Sequence, residues 1–287
     1  GTIVRPGETN GCVGCHEQRR STPAFDRGTA WQHGPLQLKP WYGRPRLFGY
    51  TVEVQPVFDK HCVSCHDYGK DEGKKLNLAG DLGLVFNTSY AELRGKGYVS
   101  VVGAGPFTVQ MPKTWGSHAS RLAKVMLEGH GDPKIDDKIK LGREDIDRVI
   151  TWIDINAPYY PSYAAGAYVD YPYGRSPLDK KQLERLGKLT SLQLVDARDA
   201  NVNNTATVNF TRPESSTCLE HFTDKNDPKY KEALLLIRAG SERLQRNPRP
   251  DMPGFRLVHP VEIQRENKYQ QRLREEADRR AKIVAGQ

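Results

Sequence analysis

The sequence predicts a mainly α protein, with helical stretches set between long irregular loops and a helical C-terminal extension. Three observations predict this. Apolar residues recur at the 3.6-residue period over several short segments. Glycine and proline, 26 and 19 residues, crowd the stretches between them. One five-residue pattern occurs twice, as Cys12-Val13-Gly14-Cys15-His16 and Cys62-Val63-Ser64-Cys65-His66, and each copy implies a tight turn.

The elements follow in order. The first pattern is succeeded by an irregular run from Trp31 to Tyr50, rich in Pro, Gly and aromatics. Val54 to His61 reads as a short amphipathic helix with Val54, Val57 and Phe58 on one face, leading into the second pattern. Residues 67–116 read as loop, punctuated by glycines such as Gly73, Gly95 and Gly103. A helix is expected from Ser117 as N-cap through Leu122, Val125 and Met126, with Gly129 just past its end. Another runs from Arg143 to about Ile155, its Ile146, Val149, Ile150 and Ile153 on one face, and Pro158 and Pro161 stop it. Beyond residue 163, Asp179 to Leu189 and Tyr230 to Leu244 read as helices separated by a possible strand, Thr207 to Phe210. Val261 to Val284 reads as a charge-laced terminal helix.

Composition narrows the function classes. Hydrophobic residues make up 37% of 287, low for that length, and a large apolar cofactor would compensate. The net charge of +8 is dispersed, which suits a solvated basic surface or steering toward an acidic partner protein. No basic stripe interleaved with aromatics is present, so nucleic acid is not an expected partner. No apolar stretch approaches a membrane span. Gly1 opens directly on polar sequence, which reads as a mature or excised chain.

The repeated pattern carries the chemistry. In C-x-x-C-H, two thiols add across the two vinyl groups of haem, and the following imidazole meets the iron from one side. Composition alone predicts roughly 0.002 such matches in the chain, and two are found. Zinc also takes Cys and His, but two matching five-residue motifs favour two covalently bound haem c groups. Cys12, Cys15, Cys62 and Cys65 are then the attachment residues, and His16 and His66 the iron ligands. Such attachment takes place outside the cytoplasm, so a periplasmic or otherwise exported protein is expected. Cys218 is left over, without a partner cysteine or an adjacent histidine, and reads as a small buried hydrophobe. A disulfide framework is excluded.

The ligand opposite each motif histidine separates electron transfer from substrate chemistry. For the second haem the candidates are His130, His118 and Met111, with His130 favoured by its place in a loop between two helices. For the first haem His33 and His61 are the nearby nitrogen donors, or that position is open. A helix, a C-x-x-C-H turn, loops and a final helix outline a cytochrome c-like module. The chain therefore divides into a first haem segment (1–50), a cytochrome c-like domain (51–163) and a helical extension (164–287). The extension is expected to dock onto partners and to be dispensable for haem attachment.

Three runs carry a resemblance. They are Val54-Gln55-Pro56-Val57-Phe58-Asp59-Lys60-His61, Gly116-Ser117-His118-Ala119-Ser120-Arg121-Leu122, and Trp152-Ile153-Asp154-Ile155-Asn156-Ala157-Pro158-Tyr159-Tyr160. With the upstream Cys12 to Glu17, they resemble the middle and C-terminal haem regions of hydrazine synthase alpha subunit-like proteins, multidomain dihaem cytochromes of planctomycetes and relatives. The resemblance covers about residues 10–163. It implies a bis-histidine, electron-carrying haem at Cys62, Cys65 and His66. In the family's middle domain the motif histidine binds zinc and a tyrosine four residues later takes the iron. The matching positions here are His16 and Arg20, and arginine is no haem-iron ligand, so His16 is expected to ligate iron in the ordinary way.

The sequence thus predicts a dihaem c-type cytochrome passing single electrons within a larger exported redox assembly. Its expected partner is a redox protein or the multidomain complex itself. The alternative is a haem enzyme of the hydrazine synthase-like type, its first haem open to small nitrogen or peroxide substrates.

Overall fold

A computed structural model describes residues 41–43, 46–102, 111–161, 175–195 and 205–286. The first motif, Cys12, Cys15 and His16, and the nearby His33 and Arg20 lie outside the described residues. The chain divides into two compact units, 1–45 and 46–287. In the described part of the first, the rings of Trp41 and Tyr42 meet edge to face at 5.1 Å.

The second unit is mainly helical, with no named strand among its described residues. Its helices are α1 (Tyr50–Glu53), α2 (Gln55–His61), α3 (Asp71–Lys75), α4 (Thr88–Gly95), α5 (Arg121–Glu128), α6 (Pro133–Asp136), α7 (Arg143–Asp154), α8 (Lys180–Thr190), α9 (Pro228–Arg246) and α10 (Pro260–Val284). Three sequence expectations change in detail. The stretch 67–116 contains α3 and α4, whose amphipathic patterns are too short or too weak to read. Ser117 starts a single 3-10 turn, Ser117–Ala119, and the α-helix begins at Arg121, with Ser120 at its N-cap position. There Ser120 spends its hydroxyl on the Gly116 carbonyl (2.7 Å) and the Ser100 N–H (2.9 Å). Thr207 to Phe210 is not a strand. It is a 3-10 turn at Thr205–Thr207 followed by extended chain, and the Phe210 N–H meets the Leu82 carbonyl at 2.8 Å.

Two apolar cores hold the unit. The first joins Tyr50, Val54, Val57 and Phe58 of α1 and α2 to Leu93 of α4, Leu122 of α5 and Val149, Trp152 and Ile153 of α7. Trp152 is fully buried and its indole N–H donates to the Pro158 carbonyl at 2.9 Å, so both its apolar body and its polar tip are satisfied. Truncating such a side chain to alanine costs about 3–5 kcal/mol. Glu53 is buried in the same region and is paired by Arg46 (Nη2–Oε2 2.8 Å) and by Arg148 of α7, which removes the penalty of a lone buried charge.

The second core gathers Leu183 and Leu186 of α8, Ala233 and Ile237 of α9, and Val208, Phe210 and Leu219 from the turns between them. α8 begins at a reciprocal cap. Asp179 accepts from the Gln182 N–H at 2.8 Å, and Gln182 accepts from the Asp179 N–H at 3.0 Å. Leu84, from the loop after the second C-x-x-C-H motif, belongs to this core and not to the first. α10 is mostly exposed, as its charge pattern predicts.

The two cores are stitched together by ions. Arg249 is fully buried and grips Asp251 through Nε (2.9 Å) and Nη2 (3.0 Å). Its Nη1 donates to the Gly83 carbonyl at 3.0 Å, and Tyr159 donates to Asp251 at 2.6 Å. Burial, with Asp251 beside it, holds the Tyr159 phenol far above its ordinary value, so it stays a neutral donor. Described residues of the extension, among them Leu178, Leu183, Phe210 and Ile237, thus pack with Leu84 from the loop after the second C-x-x-C-H motif.

Candidate functional site

The second motif is held as one hydrogen-bonded turn. α2 delivers it: the N–H groups of Cys62 and Val63 both reach the Phe58 carbonyl, at 2.8 and 3.0 Å. The N–H groups of Cys65 and His66 then fold back on the Cys62 carbonyl at 3.0 and 2.9 Å. Within this turn Cys62 is partly buried and Cys65 exposed. Burial, with Cys65 beside it, pushes the Cys62 thiol up to about 12. It is thus held as a neutral thiol.

His66 is fixed at two levels. Its carbonyl accepts from the Leu78 N–H at 2.9 Å, and its ring Nδ1 lies 2.9 Å from the Leu76 carbonyl. A carbonyl can only accept, so Nδ1 carries the proton and Nε2 keeps its lone pair. This is the outer bond that orients a metal-binding imidazole. Gln55 anchors the same strand of chain, donating to the Leu78 carbonyl at 3.0 Å. Gly73 lets the loop close, because a Cβ there would stand 1.8 Å from the Asp67 carbonyl oxygen.

The imidazole stacked against His66 is that of His130, with ring centroids 6.3 Å apart and planes 28° from parallel. α5 ends at Gly129, whose φ of +86° and ψ of −173° suit only glycine, and the chain turns His130 back. Asp136 of α6 holds that turn. Its carboxylate accepts from the His130 N–H at 2.7 Å and the Gly131 N–H at 3.2 Å, and lies 3.3 Å from His130 Nδ1. Those bonds to the backbone and ring of His130 hold the Asp136 carboxyl below the ordinary range. His130, too, thus has Nδ1 engaged and Nε2 available.

The other expected ligands lie elsewhere. His118 is exposed on the turn Ser117–Ala119, whose Ser117 bonds Asp154 of α7 (2.7 Å from the backbone N–H). Met111 is 66% exposed in the loop before it. His61, a candidate for the first haem, is largely buried. Only 10% of its side chain is accessible, and its Nε2 lies 3.0 Å from Asp145 Oδ2 of α7. Cys218 is buried, as expected of a small hydrophobe, and burial pushes its thiol up to about 12.

The donor set can be tested against the two chemistries. Structural zinc takes four protein ligands and catalytic zinc three. Among the described residues no three Cys, His, Asp or Glu side chains converge in that way. Two imidazoles, His66 and His130, with ring centroids 6.3 Å apart would instead suit a cofactor that brings its own further donors, such as a macrocycle.

Sequence reasoning missed Asp136, the Leu76 carbonyl, and Arg212, which reaches Asp67 beside His66. Asp132 and Pro133 announce α6, but nothing in the sequence sets Asp136 apart from Asp137. Among the described residues no helix is long and apolar enough to cross a membrane. No protein-family model, curated protein or solved structure matches the chain.

Proposed function

We propose that the chain is a dihaem c-type cytochrome that passes single electrons within an exported redox assembly. Cys62 and Cys65 would hold one haem by thioether bonds, with His66 and His130 as its two iron ligands. Cys12, Cys15 and His16 would hold the other by the same motif chemistry. The observation that carries this reading is the His66–His130 pair, two imidazoles 6.3 Å apart with both Nδ1 atoms engaged and both Nε2 atoms available.

Haem, when bound, supplies an iron that cycles between ferric and ferrous states, and two strong ligands favour electron transfer over substrate binding. The chain's own residues do the rest. Leu76 and Asp136 keep each imidazole in one tautomer and orientation, so that little rearranges as an electron arrives or leaves. The turn 62–66 is fixed by its own hydrogen bonds and by α2, so the attachment points precede the cofactor. The resemblance to hydrazine synthase alpha subunit-like proteins supports the same ligand set.

Mass spectrometry of the denatured protein tests the reading, with two haem additions expected per chain. Release of haem into acidified organic solvent would overturn it.

A further inference from the structure

We propose that Arg212, some 150 residues downstream of the second haem motif, is a positioning residue for that haem. It holds the turn after His66 and sets the reduction potential of the iron. The inference rests on the haem reading above.

Arg212 follows the extended chain that enters the second core at Val208 and Phe210. Asn209, fully buried, shapes the approach: its side-chain oxygen accepts from the N–H groups of Thr211 (2.9 Å) and Arg212 (2.7 Å). Its amide donates to Asp81 at 2.5 Å. The Arg212 guanidinium then forks between two carboxylates. Nε and Nη2 take Asp81 at 2.6 and 3.1 Å, and Nη2 and Nη1 take Asp67 at 2.5 and 3.1 Å. It also lies over the Tyr68 ring at 4.9 Å, and Tyr68 is tied to Thr88 of α4 at 2.8 Å.

Asp67 is peptide-bonded to His66, and the Thr88 N–H bonds the Asp81 carbonyl at 2.8 Å. One side chain therefore clamps both ends of the loop that carries the Leu76 and Leu78 contacts to His66. A planar bidentate fork suits this better than a point charge would. The electrostatic consequence has a definite sign. Ferric haem carries one more positive charge than ferrous, so a cation near it favours reduction and an anion opposes it. Arg212 offsets part of the negative charge of Asp67, next to the His66 ligand, and of Asp81 at the other end of the loop. Removing it should lower the potential, and removing Asp67 should raise it.

The test is redox titration of the full-length protein carrying both haems, with the wave that His130→Ala alters assigned to the second haem. Low-spin spectra and covalent haem at Cys62 and Cys65 are established first on the unaltered protein, and their absence would defeat the haem reading before Arg212 is examined. Arg212→Gln should keep a low-spin spectrum and raise the ferric-to-ferrous ratio at fixed potential about three- to tenfold. At 59 mV per tenfold for one electron, that is a fall of about 30–60 mV. Asp67→Asn should move the same wave upward, and Arg212→Lys should recover at least half of the Gln shift. An unmoved wave in Arg212→Gln, shifts of the same sign in both variants, or no recovery with Lys would each overturn the proposal. If Arg212→Gln fails to mature, Asp67→Asn and Asp81→Asn carry the test, since both should raise the potential. A fall or no change in both overturns it.

Discussion

The carboxylate of Asp136 accepts from the backbone N–H of His130 at 2.7 Å and lies 3.3 Å from the ring Nδ1 of the same residue. One side chain thus sets both the path of the loop and the orientation of the imidazole that faces His66. The arrangement has a pH dependence. The folded carboxyl is held below the ordinary aspartate value of about 3.9, so its contribution is complete above that value and lost as pH falls through the lower folded one. Acid titration of the haem-loaded protein should show a high-spin form growing in below about pH 3.9. Asp136→Asn should show that form at higher pH, followed by visible absorbance.

His130→Ala should open one iron and leave the other unchanged. The reduced variant is expected to bind one carbon monoxide per chain, where the unaltered protein binds none. His118→Ala should behave like the unaltered protein, because His118 is exposed on its own turn and its ring is not the one stacked on His66. Carbon monoxide binding by the unaltered protein would favour an open first haem and an enzyme.

Gly129→Ala should destabilise the His130 turn. Alanine at φ +86° and ψ −173° is strained, and its Cβ would stand 2.6 Å from the Asp136 carboxyl carbon. A loss of about 1–3 kcal/mol in urea unfolding is expected, with a partial high-spin signal. Gly95→Ala, where a Cβ meets nothing within 4 Å, is the control.

Arg249→Met should cost about 3–5 kcal/mol, because it leaves Asp251 buried without its partner. The double variant Arg249→Met, Asp251→Leu should recover part of that loss, which a thermodynamic cycle would measure. A chain ending after Tyr163 lacks Arg249, Arg212 and the core that Leu84 enters. It should lose haem at the second motif or accumulate as aggregate, and a soluble, spectrally normal fragment would contradict the shared core.

The sequence by itself carried the motif on which the haem proposal rests, and most of the helices. C-x-x-C-H is a local pattern of five residues, so no tertiary information is needed to read it. Helices α2, α5 and α7 to α10 were legible because periodicity, caps and breakers are local as well: Gly129 ends α5, and Asp179 with Gln182 opens α8. α4 was not legible, since a short helix with polar residues such as Thr88 and Ser89 buried shows no amphipathic stripe. Between His130, His118 and Met111 the sequence could only rank, because which side chain faces His66 depends on how α5 crosses the unit and where Asp136 pulls the loop. The roles of Arg212 and Arg249 were decided by tertiary structure alone. Each acts on groups more than a hundred residues away, Asp67 and Gly83, and a charge reads as a solvated surface residue until the fold shows what surrounds it.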